Sequence, residues 1–153
     1  MDNIDLDYWK KAFDNPNSKP DLDLWLNKYF SQLPKGAKVL DLGCLHGLDT
    51  ENLLKHGYDV TSVDFVPKVI EDLKKRLPQI KGIIFDMRKD NWNIFHTNYF
   101  DAVTSNLSLH YFSTEDTKRI INEIRRILKP NGLLLARVNS TKDLFMVQAM
   151  VFR

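Results

Sequence analysis

KVLDLGCLHGLDT, residues 38–50, is the stretch from which the rest of the chain can be placed. Its apolar run Val39 to Leu42 reads as a buried strand and stops at Gly43; after Gly47 come Leu48, Asp49 and Thr50, where a helix is expected to start. A strand that turns through glycines into a helix can receive a ligand. The first amides of a helix lack partners inside it and carry partial positive charge, and glycine lets an acceptor-rich group approach the main chain. The next apolar run, YDVTSVD, ends in Asp64, about 20 residues beyond the glycines, where an acid takes the ribose hydroxyls in nucleotide-binding βαβ units. Two glycines and an acid also fit a tight turn in any α/β protein, so this segment alone leaves both readings open.

Upstream, Asp21 is placed to cap a helix whose apolar positions Leu22, Trp25, Leu26, Tyr29, Phe30 and Leu33 recur at helical spacing before Pro34 and Gly36 end it. Residues 1–20 are expected to give a short helix carrying Tyr8, Trp9 and Phe13, then a loop, DNPNSKPD. Those aromatics either join the core or form a flap over a ligand pocket; core contact is preferred, because aromatic side chains bury large areas.

Downstream, a short helix over 49–56 is expected with Gly57 as its left-handed cap, then a strand over 58–63. Pro67 suits the first turn of a helix with an apolar stripe of Val66, Val69, Ile70, Leu73 and Leu77. Gly82 to Phe85 forms a third strand closed by Asp86, 87–98 a loop, and Phe100 to Ser105 a fourth strand followed by the irregular SNLSLHYFS. Ser113 or Thr114 caps a helix with Ile120, Ile121, Ile124, Ile127 and Leu128 on one face; Lys129-Pro130-Asn131-Gly132 ends it, and LLLARV is a fifth strand. Alternating strands and helices imply an α/β fold, a parallel sheet with helices on both faces. In such sheets ligands bind beyond the carboxyl ends of the strands. Gly43, Asp64, Asp86 and residues 105–111 all fall there.

At 153 residues, 43% hydrophobic and 27% charged, the chain is expected to be a single domain over 1–153, comprising an N-terminal helix or flap (1–20), a βα core (21–140) and a tail (141–153). A net charge of +2 without a basic block gives no support to nucleic-acid binding. The start is acidic and amphipathic and no apolar run is long enough to span a bilayer, so no membrane association and a cytoplasmic location are expected. The single cysteine, Cys44, leaves no internal disulfide, and it reads as a small packing residue; a nucleophilic role would need His46 as its base. His46, His56 and His96 show no metal-ligand spacing.

Taken together, residues 37–140 resemble the class I S-adenosylmethionine-dependent methyltransferases. The resemblance rests on Asp41, Gly43, Leu45 and Gly47 at the positions of the acid and glycines after the first strand, on Asp64 and Asp86, on FDAVTSNLSLHY, and on RILKPNGLLLARVNS. It implies a three-layer αβα Rossmann-like fold, with a mainly parallel sheet of order 3-2-1-4-5. It also implies S-adenosylmethionine as cofactor. Asp64 would accept from the ribose hydroxyls and Asp86 from the adenine amine, with Phe65 and Met87 flanking the ring. Asp41 and the turn Gly43, Cys44, Leu45 and Gly47 would hold the methionine part, with Asn106 also at the cofactor site. The cofactor's sulfonium makes its methyl electrophilic, so the protein chiefly has to hold it rigidly and aim it.

Two departures from the family pattern stand out. Leu45 replaces the middle glycine, and its side chain would take cofactor space unless the loop turns it away. After the fifth strand only STKDLFMVQAMVFR follows, so the C-terminal antiparallel strands are expected to be absent or reduced. The fifth strand would then be an edge needing cover, with a homodimer through it as one solution.

His110, in the loop after the fourth strand, is the candidate catalytic base, or else a packing residue beside Tyr111 and Phe112. Asn106 and Ser108 either orient a substrate or satisfy the turn. SNLSLHY is not the Asn- or Asp-prolines-aromatic sequence of enzymes that methylate exocyclic amines of DNA bases. The leading expectation is therefore methyl transfer to an oxygen or nitrogen nucleophile of a small molecule. A non-catalytic binder of the cofactor or of a partner protein is the alternative, and an NAD(P)-dependent oxidoreductase a weaker one.

Overall fold

The computed structural model describes residues 6–15, 17, 23–139 and 146–152. The strands are β1 (Lys38–Leu42), β2 (Asp59–Asp64), β3 (Lys81–Ile84), β4 (Phe100–Asn106), β5 (Leu128–Val138) and β6 (Met146–Val151); a helix follows β1, β2 and β4, whereas β3 and β4 are joined by a loop with a 3-10 turn over Trp92–Ile94. The helices are α1 (Leu6–Asp14), α2 (Leu48–Lys55), α3 (Pro67–Arg76) and α4 (Thr114–Ile127). The sheet order is β3-β2-β1-β4-β5-β6, with β1 to β5 parallel and β6 antiparallel to β5. The expected order 3-2-1-4-5 is thus present, with one antiparallel strand added. No described helix is long and apolar enough to cross a membrane.

Residue alternation along the strands divides the core between the two faces of the sheet. Leu40, Leu42, Leu134 and Ala136 pack with Ile120, Ile124 and Ile127 of α4, whereas Val39, Leu133 and Leu135 pack with Trp25, Leu26 and Leu53 on the other face. A third cluster joins Cys44 to Val66, just before α3, and to Val69, Ile70 and Leu73 of α3, with Trp9 and Phe13 of α1 against it. Pro67 opens α3, and Gly57 (φ +79°) follows α2 in the left-handed region. Ser113 Oγ accepts from the Asp116 amide at 3.1 Å, which caps α4 as its sequence implies.

Two expectations need correction. The helix through Trp25 to Leu33 is a 3-10 turn over Asn27–Gln32, with Leu33 already extended; Asp21 and Leu22 lie outside the described residues. Trp25 and Leu26 are buried ahead of that turn, and the Trp25 indole is bonded to Asp49, so tertiary contacts override the helical spacing. Lys129-Pro130-Asn131-Gly132 does not precede β5 but lies within it as a bulge. The register jumps from Phe100↔Leu128 to Ala102↔Leu133, and Asn131 takes φ +64°. At the other side of β5, β6 pairs with it from Leu133↔Val151 to Val138↔Met146 and supplies the cover that this edge needs. Residues 140–145 of the tail lie outside the described residues.

Candidate functional site

A cavity of about 280 Å³ opens at the carboxyl ends of the parallel strands, close to the small end of the size range of ligand sites. Across the sheet its wall runs from Asp86, Met87 and Arg88 after β3, through Asp64 and Phe65 at β2 and Asp41 in β1, to Asn106 at the end of β4 and Arg137 near the end of β5. The turn residues Gly43, Cys44, Leu45 and His46 form another part of the wall, and Trp9, Leu107, Tyr111 and Phe112 supply an apolar part. Of the residues expected at a cofactor site, only Gly47 is missing from the wall. A Cβ there would come within 2.2 Å of Leu73 Cδ1, so Gly47 serves the close packing of the turn on α3.

The turn amides are used differently from expectation. Those of Gly43 and Cys44 both donate to the Val63 carbonyl, at 2.9 and 3.0 Å, and that of Leu45 donates to Asp64 Oδ2 at 3.0 Å. The Val66 amide donates to Asp64 Oδ1 at 3.0 Å. The Phe65 amide also lowers the pKa of the Asp64 carboxyl, yet a carboxylate can accept about four hydrogen bonds, so Asp64 keeps acceptor capacity for hydroxyls of a ligand. At the far end Asp86 accepts from the Arg88 amide at 2.9 Å and pairs with the Arg88 guanidinium at 3.4 Å. Gly43 leaves room for Ser108, whose Oγ would lie 2.6 Å from an added Cβ.

Leu45 takes φ +39°, and its side chain packs against the α3 cluster as well as lining the cavity. Leu107, after β4, is also left-handed at φ +57°, its amide donating to the Arg137 carbonyl at 2.7 Å. Left-handed leucine costs roughly 1–2 kcal/mol per residue. Among the described residues both such leucines lie on this wall, the pattern of backbone strain held at a functional site.

Asp41, Asp49 and Asp64 are 1%, 6% and 6% exposed and all line the cavity. Asp41 accepts from Thr50 Oγ1 at 2.5 Å and from Thr104 Oγ1 at 3.3 Å; burial, then the charge of Asp49, pushes its pKa up to about 7. Burial also raises the carboxyls of Asp49 and Asp64, against their hydrogen bonds. Burial pushes the Cys44 thiol well up, which fits packing and not nucleophilic use.

Asp49 is the residue that sequence reasoning passed over. Both its oxygens accept from Trp25 Nε1 at 3.1 Å, and Oδ2 accepts from Asn106 Nδ2 at 2.9 Å. Asn106 Oδ1 accepts in turn from Arg137 Nε at 2.8 Å, and Arg137 pairs with Asp23 and lies over the Trp25 ring. A lone arginine at the carboxyl end of the apolar run LLLARV was a usable signal for Arg137; nothing local marked Trp25 as its partner.

His110 is not on the cavity wall. Its ring lies against Tyr111 at 4.2 Å between centroids, Nε2 is 3.3 Å from Asn139 Nδ2, and Nδ1 is buried without a hydrogen-bond partner. Burial lowers its pKa, which favours the neutral imidazole. From α1, Trp9 meets Tyr111 edge-on at 5.2 Å and Phe13 stacks on His46 at 5.2 Å, so this helix both reaches the core and closes one side of the cavity.

A methyltransferase-domain family model matches residues 40–136. A methyltransferase of Bacillus subtilis (strain 168) is 29% identical over 135 residues, covering 85% of this chain and 53% of the relative. A ubiquinone biosynthesis O-methyltransferase of Actinobacillus pleuropneumoniae is 29% identical over 120 residues, covering 73% of this chain and 50% of the relative. The chain spans about half the length of these curated relatives. A TehB-like S-adenosylmethionine-dependent methyltransferase from Corynebacterium glutamicum superposes with a TM-score of 0.70 at 23% identity, covering 89% of this chain and 73% of that structure.

Proposed function

Since the chain belongs to the methyltransferase-domain family, within the class I S-adenosylmethionine-dependent fold, we propose that it transfers a methyl group from that cofactor to an oxygen or nitrogen of a small molecule. The observation that carries this reading is the order of acids along one cavity: Asp86 beyond β3, Asp64 at the end of β2, and Asp41 in β1. The residues present fit the cofactor. Asp64 retains acceptor capacity for ribose hydroxyls, Asp86 is held by Arg88 where an amine can donate to it, and Phe65 and Met87 line the space between. The bound cofactor supplies an electrophilic methyl group.

The contribution of this chain is to hold and aim. Asp64 fixes a ribose while its own carboxylate is fixed by the Leu45 and Val66 amides. Trp9, Leu107, Tyr111 and Phe112 exclude water and suit an apolar or ring-bearing acceptor. That is consistent with the Actinobacillus relative, named for an O-methylation in ubiquinone biosynthesis. His110 packs against the Tyr111 ring.

Incubation of the protein with S-adenosylmethionine and a panel of phenols, carboxylates and amines tests the reading, with S-adenosylhomocysteine release as the signal. Acceptor-dependent release supports methyl transfer; tight cofactor binding with no release across the panel supports a non-catalytic binder instead.

A further inference from the structure

His46 lines the cavity and has no part in the cofactor reading. Among the described residues it is the one histidine on that wall: His110 lies off it, His56 Nδ1 donates to the Asn52 carbonyl at 2.8 Å, and His96 packs near Tyr99. Nor does it serve as base to Cys44, whose thiol is kept protonated by burial. The other ionisable groups of the wall are engaged. Asp64 is held by amides, Asp49 by Trp25 and Asn106, Asp41 by Thr50 and Thr104, and Asp86 by Arg88. Trp9 and Phe13 stand four positions apart on α1, so they share one of its faces about one turn from each other. Trp9 meets Tyr111 edge-on at 5.2 Å, and Phe13 stacks on His46 at 5.2 Å with 21° between the planes. Tyr111 and His46 therefore flank the same face of α1, and a flat ring against Trp9 and Tyr111 is within about a helical turn of the imidazole. The backbone of His46 is fixed as well: Arg76 Nη2 donates to its carbonyl at 2.9 Å, and the Gly47 amide closes the turn on the Cys44 carbonyl at 2.8 Å. A side chain held in this way is set before a ligand arrives.

We infer that His46 is the general base of the reaction, taking the proton of a phenolic acceptor that lies between Trp9 and Tyr111. The inference rests on the methyl-transfer reading above and deepens it, narrowing the acceptor to a hydroxyl borne on a ring. A phenol with an ordinary pKa, about 10 as in tyrosine, is protonated and weakly nucleophilic at neutral pH, where an imidazole is able to receive its proton. The hydroxyl gives its proton to a ring nitrogen of His46 as its oxygen bonds to the methyl carbon. The electrons of the broken carbon–sulfur bond stay on sulfur, and the imidazolium then passes the proton to water. Trp9, Leu107, Tyr111 and Phe112 present an apolar and aromatic wall to the ring. The amide of Leu45, the residue before His46, donates to Asp64, so one turn fixes both the base and the acid proposed for the ribose.

The test compares wild type with His46→Gln and with His46→Phe, which keeps a ring against Phe13; thermal melts and S-adenosylhomocysteine titrations confirm folding and cofactor binding. The first readout needs no turnover. The probe para-nitrophenol, whose phenolate is coloured, is bound to the S-adenosylhomocysteine complex at a pH below its own pKa. The ratio of phenolate to phenol is expected to be about tenfold higher on wild type than on either variant or in free solution, because an imidazolium favours the anion. In turnover, kcat on unsubstituted phenol is expected to fall about 10²–10⁴-fold in the variants, and kcat on para-nitrophenol assayed above its pKa, where it is already ionised, by less than about threefold. Equal losses on both phenols, an unchanged phenolate ratio, or failure of the wild-type complex to bind the phenol overturns the inference and leaves the methyl-transfer reading intact. Failure of the wild type to bind S-adenosylhomocysteine overturns both.

Discussion

The Leu45 amide donates to Asp64 Oδ2 at 3.0 Å, so the residue that stands where the family has glycine is tied by its backbone to the acid proposed for the ribose. The same carboxylate accepts from the Val66 amide, and it joins the turn after β1 to the segment after β2. Asp64→Asn replaces one acceptor oxygen with a donor that faces an amide. It is expected to cost about 1–3 kcal/mol in urea unfolding, the penalty for an unsatisfied buried group, and to weaken S-adenosylhomocysteine about tenfold or more. Unchanged stability would mean the bond is not maintained in solution.

Gly47 and Gly57 separate packing from backbone strain. Both take positive φ, +75° and +79°, but a Cβ on Gly47 meets Leu73 Cδ1 at 2.2 Å, whereas one on Gly57 meets nothing within 4 Å. Gly57→Ala should lose about 1 kcal/mol for left-handed alanine, and Gly47→Ala a further ~1–3 kcal/mol for overpacking. Equal losses in denaturant titrations would refute the tight contact with α3.

Much of this arrangement was legible in the sequence because strand ends and helix faces are local signals. The alternation of apolar runs in β1 and β5, the isoleucine stripe of α4 and the acids ending β2 and following β3 were readable from spacing alone. The β6 pairing was not, since an apolar tail reads equally as strand or helix until its partner is known. Nor was the path through Trp25: a helical period was present, but the indole bond to Asp49, 24 positions away, is a tertiary contact. Leu45 was recognised as a departure, yet its left-handed turn and its packing on α3 are decided by neighbours that are distant in sequence.

Asp41 gives the protein without cofactor a pH dependence of defined sign. Its pKa is raised to about 7 in the fold, chiefly by burial, from an ordinary value near 3.8. The folded state therefore binds more protons than the unfolded state between these values, and stability contributed by this group falls as pH rises from about 4 to 7. The melting temperature of wild type minus that of Asp41→Asn should decline over this range. A flat or rising difference would show that Asp41 ionises normally.

His110 and Tyr111 distinguish support from catalysis. Only Tyr111 reaches the cavity wall, so Tyr111→Ala should weaken the methyl acceptor, seen as a raised KM, by removing aromatic surface. His110→Gln should change kcat by less than about threefold. A fall of about 10²–10⁴-fold with loss of the neutral-pH limb of the rate profile would instead identify His110 as the general base.

The central claim, that the cavity beyond β1 and β2 holds S-adenosylmethionine despite Leu45, is tested most directly by titrating the cofactor into wild type and Leu45→Gly in a calorimeter. Glycine keeps the left-handed turn and removes the one side chain at issue. One-to-one binding by both proteins, with the glycine variant at least as tight, is the predicted result; no binding by either would contradict the assignment.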